Sequence, residues 1–109
     1  MKRIILLILF LFICVPLLGQ NEASFWYFGQ NAGVRFDADL GTVTAVTDGQ
    51  LNTLEGCTSI SDTDGNLLFY SDGSTIWNRN HQVMLNGTGL KGDDSSTSSG
   101  LIVPKPQDP

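Results

Sequence analysis

The sequence predicts an all-β protein made of antiparallel meander strands arranged as propeller-like blades. Asp-Gly or Asn-Gly occurs at residues 48–49, 64–65, 72–73 and 86–87. These dipeptides tolerate positive φ angles and therefore favour tight type I′ hairpin turns. No window of about 11 or more residues carries apolar groups at helical spacing. Short strands separated by turn signals are typical of a sandwich, barrel or propeller.

Eight short runs rich in β-forming residues are predicted as strands. The first contains Phe25, Trp26, Tyr27 and Phe28, whose side chains must alternate between the two faces of a strand. We therefore expect both faces of that strand to be covered, one by this domain and one by a neighbouring element. The predicted strands span residues 24–28, 33–36, 42–46, 57–61, 66–70, 75–77, 82–85 and 100–103.

The clearest local unit is a three-stranded meander within residues 57–85. One strand leads into Asp64-Gly65, an apolar strand returns, and Asp72-Gly73 turns the chain into a third. Such a sheet has open edges and little independent stability. A propeller blade is a unit of this kind that is stabilised by stacking on the next blade.

The end of the sequence predicts an unfinished sheet. Residues 101–103 form a fresh strand, and Pro104, Pro106 and Pro109 mark a turn after it. The hairpin partner of that strand would come next. We expect a fragment of a longer protein, or one truncated in its gene.

The first 19 residues match a secretory signal peptide. Lys2 and Arg3 form a basic start, and residues 4–18 are an almost unbroken apolar run that contains Pro16. A membrane span needs about 20 apolar residues, which disfavours an anchor. We expect cleavage near Gly19 or Gln20, a β-rich segment over residues 20–109, and a secreted or cell-surface location.

Charge excludes some partners. The chain has 11 acidic and 6 basic residues, a formal net charge of −5, and without Lys2 and Arg3 the balance becomes −7. Such a surface repels phosphate backbones and anionic lipid. We expect no nucleic-acid partner and, after leader removal, no membrane partner.

Beyond the leader there is one cysteine, Cys57, and one histidine, His81. Cys57 loses Cys14 as a disulfide partner when the leader is cleaved, and no base lies beside it in the sequence to activate a thiolate. We interpret it as a small buried apolar side chain. Nothing in the sequence assigns a catalytic, cofactor-binding or metal-binding residue.

Residues 62–66, Asp62-Thr63-Asp64-Gly65-Asn66, offer closely spaced oxygen ligands for a weak Ca²⁺ site. The same residues suit a tight hairpin turn, and the rest of an EF-hand is missing. The turn is the favoured interpretation.

Residues 87–92 spell G-x-G-x-x-G, but two aspartates and a Ser/Thr run follow where a nucleotide-binding helix should begin. The serines of this stretch form no G-x-S-x-G motif, which would present a nucleophilic serine on a sharp turn. We therefore interpret residues 87–99 as a flexible polar connector. Asn86-Gly87-Thr88 is a formal glycosylation sequon, which in a bacterial protein would be only a turn.

Residues 78–81, Asn78-Arg79-Asn80-His81, follow Trp77 and form the most chemically mixed stretch. An aromatic ring beside amides and a guanidinium suits a sugar- or carboxylate-binding patch. The plainer alternative, which we favour, is a polar loop whose asparagines cap a turn while Trp77 packs inward.

Eight short motifs along the chain carry a resemblance to a known class of protein. They are WYFGQNAG at 26–33, TDG at 47–49, EGC at 55–57, ISD at 60–62, GNLLFY at 65–70, DG at 72–73, IWNRNH at 76–81 and IVPKP at 102–106. Together they resemble the start of large secreted Bacteroidetes proteins that carry a gliding-motility-associated C-terminal sorting domain. The resemblance implies the opening of a β-propeller-like repeat domain, followed by adhesion-type repeats and a type IX secretion signal. It implies no catalytic residue, and we expect this chain to stop within the first repeat unit.

The favoured hypothesis is a non-enzymatic module of an exported cell-surface or extracellular protein, a scaffold for adhesion or assembly. Its partners would be a glycan or cell-surface molecule and the remainder of a longer polypeptide. One alternative is the N-terminal part of a propeller-type carbohydrate-active enzyme whose paired carboxylates lie outside this chain. Another is an inactive truncated fragment.

Overall fold

A computed structural model describes residues 21–106, and the predicted signal peptide lies outside them. These residues form two three-stranded antiparallel sheets and contain no α-helix, which confirms the all-β prediction. A short 3-10 turn, Asn21–Ala23, precedes the first strand. The strands are β1 (Phe25–Tyr27), β2 (Gly33–Asp37), β3 (Thr42–Val46), β4 (Thr58–Ser61), β5 (Leu67–Ser71) and β6 (Ile76–Asn78).

The first sheet has the order β1-β2-β3 and the second β4-β5-β6, so each is a meander. The predicted three-stranded unit is thereby confirmed as the second sheet. A register shift lies between Ile60 and Ser61 in the β4–β5 pair. The sheets meet where the Ser59 hydroxyl donates to the carbonyl of Phe25 at 2.8 Å, which joins β4 to β1.

The core is small and aromatic, and it lies where the two sheets meet. Tyr27 from β1 stacks on Tyr70 from β5, with ring centroids 4.6 Å apart, and Tyr70 stacks on Trp77 from β6 at 5.6 Å. Leu51, from the loop between the sheets, is fully buried against these rings. Leu67 belongs to the same core and is 7% exposed. Tertiary packing between the sheets therefore depends on a few large side chains.

Two predicted strands are wrong. Residues 82–85 make only an isolated bridge, between Val83 and Trp77. The chain turns at Asn86 instead, because the Met84 N–H and the Gly87 carbonyl both hydrogen-bond to the backbone of Ile76. Residues 100–103 pair with no strand of the described segment, and Leu101 is 86% exposed. β-forming residues alone do not make a strand without a neighbour that completes its hydrogen bonds.

The type I′ turns are also wrong, since such turns need positive φ at both central residues. Only the glycine has positive φ in the 64–65 and 72–73 dipeptides, and only Asn86 has it in the 86–87 dipeptide. The Asp48-Gly49 dipeptide lies in the loop between the sheets and joins no hairpin.

The expected cover on both faces of the first strand is found on one face. Tyr27 is buried, while Trp26 is 48% and Phe28 40% exposed. Trp26 packs edge-on against Phe36 and donates its indole N–H to the carbonyl of Ala23. The outer face of β1 thus remains partly open.

Candidate functional site

The most chemically varied cluster surrounds His81, in the turn after β6. Its Nε2 lies 3.1 Å from Asp48 Oδ2, and its Nδ1 lies 3.0 Å from the hydroxyl of Tyr70. The Tyr27 hydroxyl donates to the other oxygen of Asp48 at 2.9 Å. The backbone N–H of Gln50 donates to the Tyr70 hydroxyl at 3.1 Å. This network of hydrogen bonds links two tyrosines, one carboxylate and one imidazole across both sheets.

The turn that presents His81 is built by Asn78. Its side-chain oxygen accepts hydrogen bonds from the N–H groups of Asn80 and Gln82, and its carbonyl accepts one from His81. His81 has a φ of +61°, a conformation that costs a non-glycine residue about 1–2 kcal/mol. The hydrogen bonds of the imidazole offset that strain.

One protonation state satisfies every partner in this network. With the proton of a neutral imidazole on Nε2, His81 donates to Asp48 and accepts at Nδ1 from the Tyr70 hydroxyl. Tyr70 then uses its lone pair to accept from Gln50. The geometry therefore selects this tautomer.

Burial and the neighbouring carboxylate of Asp48 raise the pKa values of the two tyrosines. Burial, followed by the hydrogen bond from Tyr27 to Asp48 and the charge of Asp48, raises the pKa of Tyr27 far above its ordinary value. Burial also raises the pKa of Tyr70, partly opposed by the hydrogen bond from Gln50. Both phenols thus stay protonated across the physiological range.

The Asp48–His81–Tyr70 order resembles a relay that could activate a hydroxyl, but Tyr70 has no exposed surface. A nucleophile or general base must lie within reach of its substrate. Both ring nitrogens of His81 are already hydrogen-bonded. In this geometry the network cross-links the sheets and the intervening loop.

The mixed stretch at residues 78–81 is divided among different surroundings. Asn78 caps the turn, Trp77 stacks on Tyr70, and His81 faces Asp48. Arg79 lines a different pocket, together with Arg35 of β2. The capping and packing interpretation is therefore confirmed for Asn78 and Trp77. Sequence reasoning missed Asp48 and Arg35, which are distant in the chain and share no motif with residues 78–81.

The acidic loop at residues 62–66 has the geometry of a turn. Asp62 Oδ1 accepts hydrogen bonds from the N–H groups of Asp64 and Asn66, and the Asn66 side-chain amide donates to both Asp62 oxygens. These hydrogen bonds, with that from the Asn66 backbone the largest contributor, lower the pKa of Asp62. The carboxylate of Asp62, which a Ca²⁺ site here would need as a ligand, is thus occupied by hydrogen bonds within the turn.

The G-x-G-x-x-G stretch opens no helix, as the connector interpretation requires. Gly92 donates its N–H to the carbonyl of Gly73 at 2.9 Å, and a Cβ at position 92 would collide with the Gly73 backbone. Asp93 Oδ1 accepts from the backbone and hydroxyl of Ser95. The glycine at 92 therefore serves close packing between backbones.

Cys57 precedes β4, outside the strand predicted to contain it. It is half-buried rather than fully buried, and it packs against the aromatic core. Burial raises the pKa of its thiol, which reduces the fraction of reactive thiolate. It also lines an open groove of about 580 Å³ with Trp26, Phe28 and Leu101.

Among residues 21–106 there is no group of three or more histidine, cysteine and acidic side chains placed to hold a metal ion. No helix in that part of the chain is long and apolar enough to cross a membrane. Comparison of the chain with protein-family models, with curated proteins and with solved structures found no match.

Proposed function

We propose that this chain is a non-enzymatic module of an exported cell-surface or extracellular protein and that it acts as a scaffold for adhesion or assembly. The basic and apolar leader supports export. The resemblance to the start of gliding-motility-associated proteins supports a surface role. The cross-linked His81 network supports a structural use for the most reactive side chains.

The observation that carries the proposal is the open groove between β1 and β4. Its lining includes Trp26 and Phe28 from the first strand and the loop after it, Ile60 from β4, and Leu101 and Ile102 from the C-terminal segment. Leu101 is 86% exposed and Trp26 48%. Exposed apolar side chains around a groove give a partner's apolar side chains a surface to pack against.

The groove also contains an unmet polar requirement. One carboxylate oxygen of Glu22 is buried and has no hydrogen-bond partner within the described residues. Such an orphan atom costs about 1–3 kcal/mol. A partner that brings apolar side chains and one hydrogen-bond donor would satisfy both the groove and Glu22.

Export is tested by expressing the full chain with a C-terminal epitope tag in a bacterial host. We expect the tag outside the cytoplasm and a mass that lacks about the first 19 residues. An intact leader on a cytoplasmic product contradicts export.

The scaffold role is tested with beads coated with the processed chain. We expect these beads to cluster or to be retained on a glycan-coated surface more than bare beads. Leu101→Glu should abolish the effect by placing a charge in the groove. Leu54→Glu, at a side chain that is 84% exposed outside the groove, is the matched control and should leave the effect intact. Coated beads that behave like bare ones would rule the scaffold role out.

A further inference from the structure

Another pocket, with a volume of about 280 Å³, is lined by residues of both sheets. It combines strand and turn residues from both sheets: Phe25, Arg35, Gly65, Asn66, Leu67 and Arg79.

Two positive charges converge on this pocket in a protein that is strongly acidic. Arg35 and Arg79 are two of only four basic residues beyond the predicted leader. Among residues 21–106 neither guanidinium has a carboxylate partner within 4.0 Å. The positive charge of Arg79 instead contributes, as the smallest cause, to the lowered pKa of Asp62. The pocket therefore offers two guanidinium groups that lack ion-pair partners within the described segment.

The surroundings orient these groups. The guanidinium carbon of Arg35 lies 5.5 Å from the centre of the Phe25 ring, a cation–π arrangement that restricts the side chain. Asn66 uses its side-chain N–H groups on Asp62, which leaves its amide oxygen as a hydrogen-bond acceptor. Leu67 and Phe25 supply apolar surface. One anion, one or more hydroxyl groups and a compact apolar face would match this set.

We propose that this pocket binds a single uronic acid residue of an acidic glycan, with its carboxylate between Arg35 and Arg79. A planar guanidinium donates two parallel hydrogen bonds to a planar carboxylate. The volume lies just below the usual range for ligand pockets and suits one sugar ring. In this arrangement the Asn66 amide oxygen accepts from a ring hydroxyl, for which a peptide would offer only a backbone N–H.

Nearby acids restrict the ligand further. Asp37, Asp39 and Asp64 line the adjoining pocket that shares Arg35, and Asp62 lies beside Asn66. Densely charged polyanions would be repelled by these carboxylates, whereas one carboxylate on an otherwise neutral ring is accommodated. The inference goes beyond the proposed function, because it assigns a ligand to a pocket that the scaffold argument does not use.

The test is calorimetric titration of the purified full chain with a galactose trisaccharide whose terminal residue is oxidised to galacturonate, against the neutral galactose trisaccharide and the peptide Gly-Glu-Gly. We expect heat of binding with the singly charged trisaccharide alone. Arg79→Gln and Arg35→Gln should each weaken the affinity about tenfold or more, because charge-assisted hydrogen bonds are lost. Arg79→Lys should retain part of the affinity, since the positive charge remains but the paired N–H donors of the guanidinium are lost.

Lys91→Gln is the matched control, because it removes one exposed positive charge outside the pocket and should change the affinity less than about twofold. Both arginines are exposed, and thermal melts of the variants would verify that they fold. Equal binding of the neutral sugar, tighter binding of the peptide, or unchanged affinity in both arginine variants would overturn the proposal. Because the bead assay depends on Leu101, failure of one test does not imply failure of the other.

Discussion

The two sheets have the same topology but different degrees of support. In the second sheet, Leu67, Tyr70 and Ser71 of β5 are buried, and β5 lies between two hydrogen-bonded neighbours. In the first sheet, four of the five residues of β3 are exposed, and its outer edge is unpaired. Identical connectivity therefore gives a supported central strand in one sheet and a bare edge in the other.

The turns of the second sheet also have more stabilising side-chain hydrogen bonds than the β2–β3 turn of the first. The β4–β5 turn is held by four hydrogen bonds to Asp62, and the β5–β6 turn by two from the backbone to Asp72. The β2–β3 hairpin has one such bond, from Leu40 N–H to Asp37. We infer that the free energy of local opening is higher in the second sheet, because opening there exposes core and breaks caps.

The largest expected effect is on core packing. Leu67→Ala on β5 should lower the free energy of unfolding by about 2–5 kcal/mol, because it removes buried methyl groups and leaves a cavity. Val43→Ala on β3, where the side chain is 62% exposed, should cost less than about 1 kcal/mol. Urea unfolding followed by tryptophan fluorescence measures both. Equal losses would show that the sheets are equally supported.

A smaller effect is expected from the network that joins the sheets. Tyr70→Phe should cost about 1–3 kcal/mol, since it leaves the Gln50 N–H and His81 Nδ1 without a partner. Tyr27→Phe is the matched control. It frees one oxygen of Asp48, whose side chain is 55% exposed and can bind water, so about 0.5–1.5 kcal/mol is expected. A larger loss for Tyr27→Phe would contradict the assignment of Tyr70 as the central member.

The strand pattern was predictable from sequence where local chemistry decides it. The Asp-Gly dipeptides and the apolar run at residues 67–70 located the second sheet. The caps were harder to foresee, because the aspartates use their side chains as acceptors while glycine alone takes positive φ. The Asp48–His81 pair and the Arg35–Arg79 pocket were missed because each joins residues from separate elements, which no local spacing encodes.

Alkaline pH offers a third comparison, because Tyr27 and Tyr70 are the only tyrosines in the chain and lie one in each sheet. Both folded-state pKa values are raised, so the native state retains protons that the unfolded state releases. Stability from this source is complete below about pH 10 and is lost as pH rises through the folded pKa values.

Absorbance of ionised phenol should therefore appear only with unfolding, at a pH above the ordinary tyrosine range. Asp48→Asn should reduce the loss of unfolding free energy between pH 7 and high pH, because without the neighbouring charge the folded-state pKa of Tyr27 is raised less. Ionisation near pH 10 while the tryptophan signal remains native would contradict buried phenols.

The smallest expected effect compares the turns under acid. The depressed pKa of Asp62 means that its contribution is present above about pH 4, the ordinary aspartate pKa, and is lost as pH falls through the folded value. Asp62→Asn should thus lower the Tm modestly at pH 7 and by less near pH 2. Asp37→Asn, in the singly capped turn of the first sheet, should lower it less at pH 7. Differential scanning calorimetry at both pH values measures the difference. A larger loss for Asp37→Asn, or a loss for Asp62→Asn that persists at low pH, would show that the ionised Asp62 cap does not account for the greater support of the second sheet.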